Sequence, residues 1–286
     1  METRTDLCLN KGIKDCSAVA VNRVKVEQMK QNVGEARAIV RSENLSHICG
    51  KPMQMKQLLL SGSMKMSDLI QANYALLTVL PRFGIHLGFG DRSVAEVCRA
   101  QGVSLELFLM ICSIYTFDDY LPDAKRFEGI DVEDIVLYLH NSHRYYLEER
   151  IPEIWENLSS LEEGTEETSS IRILDRFFNE YRREVEAHFA YEEQTVFPYI
   201  RGLVHGEHAE GYSIEQFEEN HSNIEDTLED LKNILIKYLP SDVSARRLNR
   251  ALFNVFLLED DLGRHTLIEN KVLVPFVMQL EKSHGR

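Results

Sequence analysis

The stretch 213–238, SIEQFEENHSNIEDTLEDLKNILIKY, decides the fold. Its apolar side chains recur at alternating intervals of three and four residues, which is the pattern of a helix that buries one face in a bundle. The positions on this line are Ile214, Phe217, His221, Ile224, Leu228, Leu231, Leu235 and Tyr238. A histidine therefore stands where the pattern favours a hydrophobic side chain.

Three other long stretches carry a related pattern. The predicted helices lie near 131–158, 169–202, 213–238 and 242–282 and are separated by SSLEEGTEETSS, GLVHGEHAEGYS and LPSD. Short loops make successive helices antiparallel, so residues 131–282 are predicted to form an up-down four-helix bundle. No alternating apolar pattern of the kind found in strands accompanies them, and the predicted fold class is all-α.

Residues 66–120 are predicted to form a small helical domain of three short helices ahead of the bundle. The first helix ends at Pro81, because proline stops a helical pattern. The second begins at Ser93, where Glu96 three residues later completes a capping box. Gly102 then separates it from the third helix.

The charge is unevenly distributed along the chain. Its 32 Lys and Arg against 46 Asp and Glu give a net charge of −14, yet residues 1–65 carry 11 basic and 6 acidic residues, a net of +5, so the remainder carries −19. This basic leader is either a flexible arm or small appended helix, or an upstream extension of a chain that starts naturally at Met64 or Met66. The acidic total disfavours nucleic acid and an anionic membrane surface as partners.

The sequence favours a cytoplasmic location. It contains no apolar run of about 18 residues that would span a bilayer, and no secretory signal is recognisable at its N-terminus. The cysteines are odd in number and lie outside any C-x-x-C pattern, which is typical of reduced thiols. They are Cys8, Cys16, Cys49, Cys98 and Cys112.

Polar residues interrupt the buried lines of the second and fourth predicted helices. His188 and Glu192 are four residues apart, and so are His265 and Glu269, so each pair stacks an imidazole and a carboxylate on one helical face. Buried carboxylates are costly without a partner. Because the lines of four helices meet in one core, these residues predict a metal site.

The remaining candidate ligands are histidines on the first and third helices. His140 and His143 both fit the apolar line of the first helix, and His221 lies on that of the third. Imidazole with carboxylate suits iron, manganese or zinc, whereas the absence of cysteine from these lines disfavours a structural zinc site. Glu225 falls one step off the apolar line and is interpreted as a flanking residue.

Three motifs resemble a known family. They are HFAYEEQTVFP (188–198), EENHSNIEDTLEDL (218–231) and LEDDLGRHTLIENKVLVP (258–275). Together they look like the hemerythrin-type HHE cation-binding bundle, and they are most similar to the di-iron proteins that repair iron–sulfur centres under nitrosative or oxidative stress. Residues 66–109 resemble the short helical domain that precedes the bundle in that subgroup.

This resemblance implies a non-haem di-iron site. Glu192 and Glu269 would bridge two irons together with an oxo or hydroxo group, and His188, His221 and His265 would be terminal ligands. The expected small ligands are O₂, NO or peroxide, and the expected macromolecular partners are damaged iron–sulfur proteins. Manganese or zinc would fit the same ligand types.

Two departures from the family bear on function. Gly88 and Phe89 stand where the subgroup has adjacent cysteines, and no histidine follows His143 before His188. Either one metal lacks a ligand or His140 and His143 both bind, with His143 favoured because it lies closest to the family's motif before LEERIP. No nucleophile–base pair or phosphate-binding loop is present. Hydrolytic or nucleotide-dependent catalysis is therefore disfavoured. The resemblance of residues 66–109 favours a metal-binding repair protein, whereas the missing cysteine pair favours the alternative, a non-enzymatic O₂ or NO sensor or carrier.

Overall fold

The computed structural model describes residues 60–122, 129–162, 169–206, 211–220, 224 and 226–283. Residues Leu59–Arg286 form one compact unit. Within the described ranges the chain forms helices and turns but no strand, which confirms the all-α class. The predicted leader, 1–65, lies almost wholly outside these ranges. None of the helices in the described part is both long and apolar enough to cross a bilayer.

Four short helices precede the bundle, where the sequence predicts three. They are α1 (Met66–Ala72), α2 (Leu76–Arg82), α3 (Val94–Gln101) and α4 (Leu105–Thr116). The predicted first helix is split because the Asn73 side chain accepts a hydrogen bond from the N–H of Ala75 and donates one to the carbonyl of Tyr115. Pro81 lies inside α2 instead of ending it. The capping box at Ser93 is confirmed.

The long helices occupy the predicted places within a few residues. The first bundle helix is α5 (Val132–Tyr145), a π turn (Tyr146–Arg150) and α6 (Ile151–Ser159). The second is α7 (Ser169–Tyr191), a π turn (Glu192–Val196) and α8 (Phe197–Val204). The third is α9 (Ile214–Asn220) and α10 (Asp226–Lys237), and the fourth is α11 (Ala245–Ile268), a π turn (Glu269–Leu273) and α12 (Val274–Ser283).

The buried line predicted for the third helix is present at six of its eight positions, namely Ile214, Phe217, Ile224, Leu228, Leu231 and Leu235. His221 lies outside the described residues. Tyr238 is 60% exposed, so the line does not extend to it. It follows the last residue of α10, Lys237, and no longer shares the helical face.

Three of the bundle helices contain a π turn, and each π turn is followed by a proline. The prolines are Pro152, Pro198 and Pro275, each the second residue after its turn. Proline lacks an N–H and its ring crowds the carbonyl four residues back. The preceding turn therefore widens, and the N–H after it bonds the carbonyl five residues back, as Phe197 does to Glu192 and Val274 to Glu269.

The short helices pack directly on the bundle. Helix α2 contacts α5, and α4 contacts α11. Their apolar side chains share one core cluster with the N-terminal parts of the first and third bundle helices and the C-terminal parts of the second and fourth. A second cluster fills the opposite end of the bundle. The polar residues described below lie where these two clusters meet.

Candidate metal centre

Four buried side chains from three bundle helices converge on one point. One donor atom from each lies within 4.8 Å of every other, and the residues are His143, Glu192, His265 and Glu269. His143 comes from α5, Glu192 begins the π turn of the second helix, and Glu269 begins that of the fourth. Both carboxylates thus lie where the helix widens, a location at which π turns often serve function.

Glu192 links two histidines through its two oxygens. Its Oε1 lies 3.0 Å from Nε2 of His188, and its Oε2 lies 2.9 Å from Nε2 of His143. The side chain of Glu192 is fully buried, and that of His188 is nearly so. A carboxylate placed between two imidazoles in this way could bind metal together with either of them.

The fourth helix repeats the arrangement of the second. Nε2 of His265 lies 2.9 Å from Oε1 of Glu269, four residues later, and each side chain is 1% exposed. The imidazole of His265 also meets the Tyr146 ring edge-on at a centroid distance of 5.5 Å. The two H-x-x-x-E pairs predicted from the sequence are therefore both buried and face the same interior.

His143 is held by two phenylalanine rings and by a contact at its second nitrogen. Its imidazole stacks nearly parallel to Phe189, at a centroid distance of 4.2 Å, and to Phe197, at 5.5 Å. Its Nδ1 lies 2.7 Å from Oε1 of Glu193, a residue that the sequence does not single out. Phe189 belongs to the hydrophobic surroundings of the site, which limit the access of water.

His140 does not join the buried cluster. Its side chain is 41% exposed, and its Nδ1 lies 3.0 Å from both oxygens of Glu193. Glu193 therefore stands between the exposed His140 and the buried His143. The structure brings five of the seven predicted ligands together. Four of them form the buried cluster, and the fifth, His188, contacts that cluster at Glu192. His221 lies outside the described residues.

Neighbouring charges shift the pKa values of His143 and Glu193. Burial alone would lower the pKa of His143, but hydrogen bonds to Glu192 and Glu193 raise it to about 9. Burial alone would raise the pKa of Glu193, but hydrogen bonds from His143 and His140 hold it below its usual range. Without a metal, a proton on His143 thus offsets part of the buried negative charge.

The donor set fits a cation. Two carboxylates that are at most 1% exposed would be costly to bury without positive charge beside them. Their described partners are imidazoles, and imidazole with carboxylate suits iron, manganese and zinc. His143, His188, Glu192, His265 and Glu269 could together hold metal in the core of a bundle.

A second buried polar cluster lies one turn away on the fourth helix. The guanidinium of Arg82 donates to the carboxylate of Asp261, and the hydroxyl of Tyr115 donates to the other oxygen of Asp261 at 2.5 Å. The hydroxyl of Tyr146 donates to the Asp261 carbonyl at 3.2 Å. This cluster joins α2 and α4 to the bundle. Sequence reasoning missed it because its partners are up to 179 residues apart.

A comparison with protein families identifies the bundle. Residues 134–277 match the Hemerythrin HHE cation binding domain. Because this match spans half of the chain, and because both H-x-x-x-E pairs face one buried interior, the chain belongs to the hemerythrin HHE family. It is therefore a metal-binding protein of the helical-bundle class. No curated protein is similar enough to the chain to match it.

Proposed function

We propose that this protein holds two irons in its bundle and acts in the repair of iron–sulfur centres under nitrosative or oxidative stress. The observation that carries the metal centre is the convergence of His143, Glu192, His265 and Glu269 within 4.8 Å in a buried interior. His188 contacts this cluster through its hydrogen-bond distance to Glu192. His221 is the remaining ligand predicted from the third helix. When bound, two irons supply a redox couple and a position for O₂, NO or peroxide.

The residues of the chain determine the surroundings of that centre. Glu192 and Glu269 would hold the metals from the core side, since each is buried at the start of a π turn; the resemblance implies that they do so as bridging ligands. Phe189 and Phe197 cover the imidazole of His143 and keep bulk water away from it. A dry, shaped environment of this kind affects the potential of a metal site.

The helices ahead of the bundle support the repair role. Helices α1–α4 precede the bundle, and the sequence of residues 66–109 resembles the short domain found before the bundle in the repair subgroup. The Arg82–Asp261 pair fixes α2 to the fourth bundle helix one turn from His265. A domain packed this closely beside the site would be positioned to meet a damaged client protein.

The cysteines favour the alternative, an O₂ or NO sensor or carrier. Gly88 and Phe89 replace the subgroup's cysteine pair, and the two described cysteines are buried. Burial raises the pKa of the Cys98 thiol to about 11 and raises the pKa of the Cys112 thiol well above its usual value. Neither is therefore a ready thiolate, and a thiol-dependent delivery of iron gains no support from them.

An iron-transfer assay separates the two functions. The iron-loaded protein is mixed with an apo iron–sulfur enzyme and sulfide, and recovered enzyme activity is measured against free Fe²⁺ at equal concentration. Repair predicts faster or fuller recovery than free Fe²⁺ gives, and none with the Glu269→Ala variant. Reversible NO binding without recovery would contradict repair and favour the sensor.

A further inference from the structure

We infer that Glu193 is a positioning residue that orients His143 and determines which of its ring nitrogens binds metal. The inference rests on the proposed metal function and concerns a residue outside the predicted ligand set. It starts from the contact between Oε1 of Glu193 and Nδ1 of His143, at 2.7 Å. An ionised carboxylate can only accept a hydrogen bond, so the proton of this contact resides on Nδ1.

The tautomer leaves the other nitrogen for the metal. With Nδ1 protonated, Nε2 of His143 carries the lone pair, and Nε2 is the atom that faces Glu192 at 2.9 Å. The hydrogen bond also restricts rotation of the ring about its Cβ–Cγ bond. A carboxylate that accepts from the outer nitrogen of a ligand histidine raises the basicity of the inner nitrogen.

His140 in turn orients Glu193. The Nδ1 of His140 lies 3.0 Å from both oxygens of the Glu193 carboxylate, on the side that faces solvent. The side chain of Glu193 is 31% exposed, so a conformation pointing into water would be available to it. His140 limits that freedom. The series His140, Glu193 and His143 therefore connects the surface to the metal centre by direct contacts.

The second buried histidine lacks this support. No described polar atom makes a hydrogen bond to Nδ1 of His265, whose ring is instead packed against Tyr146 and Phe189. The two histidines thus differ in how they are oriented, one by a charged acceptor and one by aromatic contacts. Loss of Glu193 should therefore affect the metal that His143 binds and leave the other less changed.

The test uses cobalt(II) with the full chain, since cobalt reports coordination through its visible absorption and its shifted proton resonances. We compare the wild type with Glu193→Ala, Glu193→Gln and His140→Ala. The matched control is Glu186→Ala, which removes the same charge from an exposed ion pair with Arg182 on α7. The readouts are Co²⁺ affinity by chelator competition and the exchangeable, shifted N–H resonances of the ligand histidines in water.

Glu193→Ala should weaken the affinity of one site by about 10–100-fold and abolish one exchangeable N–H resonance. Glu193→Gln should keep that resonance, because the amide oxygen still accepts a hydrogen bond, with a smaller loss of affinity. His140→Ala should lose less than Glu193→Ala, and Glu186→Ala should match the wild type. Rescue by glutamine separates positioning from a general effect on folding.

Two results would overturn the inference and can be told apart. Wild-type affinity and an unchanged set of exchangeable resonances in Glu193→Ala would contradict the role of Glu193 while leaving metal binding intact. Failure of the wild type itself to bind Co²⁺ would contradict the proposed metal function, and the inference with it.

Discussion

Asp261 and His265 lie one helical turn apart on the fourth bundle helix, yet they belong to two buried clusters of different character. Asp261 is paired with Arg82, so its negative charge is balanced within the protein. His265 belongs to a cluster with two carboxylates, Glu192 and Glu269, whose described partners are imidazoles. The first cluster pairs its buried charges with each other, whereas the second presents donor atoms to one point.

The difference shows what separates a structural cluster from a metal site. Both charges of a buried ion pair have lost their hydration, so the pair adds little net stability to the fold. Removing one partner is nevertheless costly, because it leaves the other charge buried and unpaired. A set of converging donors gains from an added cation, which binds the folded state and not the unfolded chain. Removing a residue from the first cluster should therefore cost stability, and removing one from the second should cost metal.

The largest effect is expected for Arg82→Met. It leaves Asp261 buried without its cation and should lower the free energy of unfolding by about 3–5 kcal/mol. Urea denaturation in the presence of a chelator measures this, and the loss should be similar with metal present.

A second substitution is the control for that prediction. Asp261→Asn removes the unpaired charge and keeps an acceptor for Tyr115, so Arg82→Met/Asp261→Asn should recover part of the loss. An Arg82→Met variant within about 1 kcal/mol of the wild type would show that the pair contributes no more than a surface pair does.

The next effect is on metal content. Glu269→Ala removes a predicted bridging ligand. It should lower metal affinity by more than the 10–100-fold that is typical when a residue hydrogen-bonded to a ligand is replaced. Its unfolding free energy without metal should change little or rise, because a buried carboxylate is gone. The Glu225→Ala variant, the matched control, should keep its iron, because Glu225 falls one step off the apolar line predicted from the sequence. Equal iron loss in both variants would show that Glu225 was wrongly excluded.

The candidate ligands that could be predicted share one property, which is a position on the buried line of a regular helix. His188, Glu192, His265 and Glu269 stand four apart on faces that the flanking apolar residues define. Three-dimensional packing was not needed to see that they are buried, because the helical period already implies it.

Other residues could not be predicted, because their burial or contacts arise where the helices depart from the regular period of 3.6 residues per turn. A π turn adds a residue and rotates the following helix by about 100°, so Val196 and Phe197, neighbours in sequence, are both buried. Glu193 lies off the buried line, and only the position of α5 brings its carboxylate to His143.

A third, intermediate effect is a pH dependence that only the metal-free protein should show. The pKa of His143 in the folded chain is about 9, above the ordinary value of 6.5. The protonated imidazole therefore stabilises the apo fold in full below pH 6.5, and this contribution is lost as the pH rises to 9. The slope should reach at most about 1.4 kcal/mol per pH unit.

Thermal unfolding between pH 6 and 9 in chelator measures this slope. His143→Gln should flatten it, since glutamine does not titrate in this range. Metal-loaded protein should also lack the decline, because the metal replaces the proton and binds more tightly as the pH rises. A steep decline that persists in His143→Gln would assign the effect to another group.

The smallest effect is expected for His140→Ala. Because His140 contacts Glu193 and not the buried cluster, its removal should leave the number of bound metals and the visible spectrum near those of the wild type, with affinity reduced less than about tenfold. His143→Ala should lower the affinity of one metal and change the spectrum. An unchanged spectrum in His143→Ala, with a changed one in His140→Ala, would make His140 the ligand from the first helix.

Metal analysis of protein purified without added metal, combined with its absorption spectrum, tests the metal centre most directly. The account predicts about two irons per chain, the number found in di-iron helical bundles, with near-ultraviolet charge-transfer bands that Glu269→Ala loses. Protein that carries no metal, or a single zinc with a featureless spectrum, would contradict it.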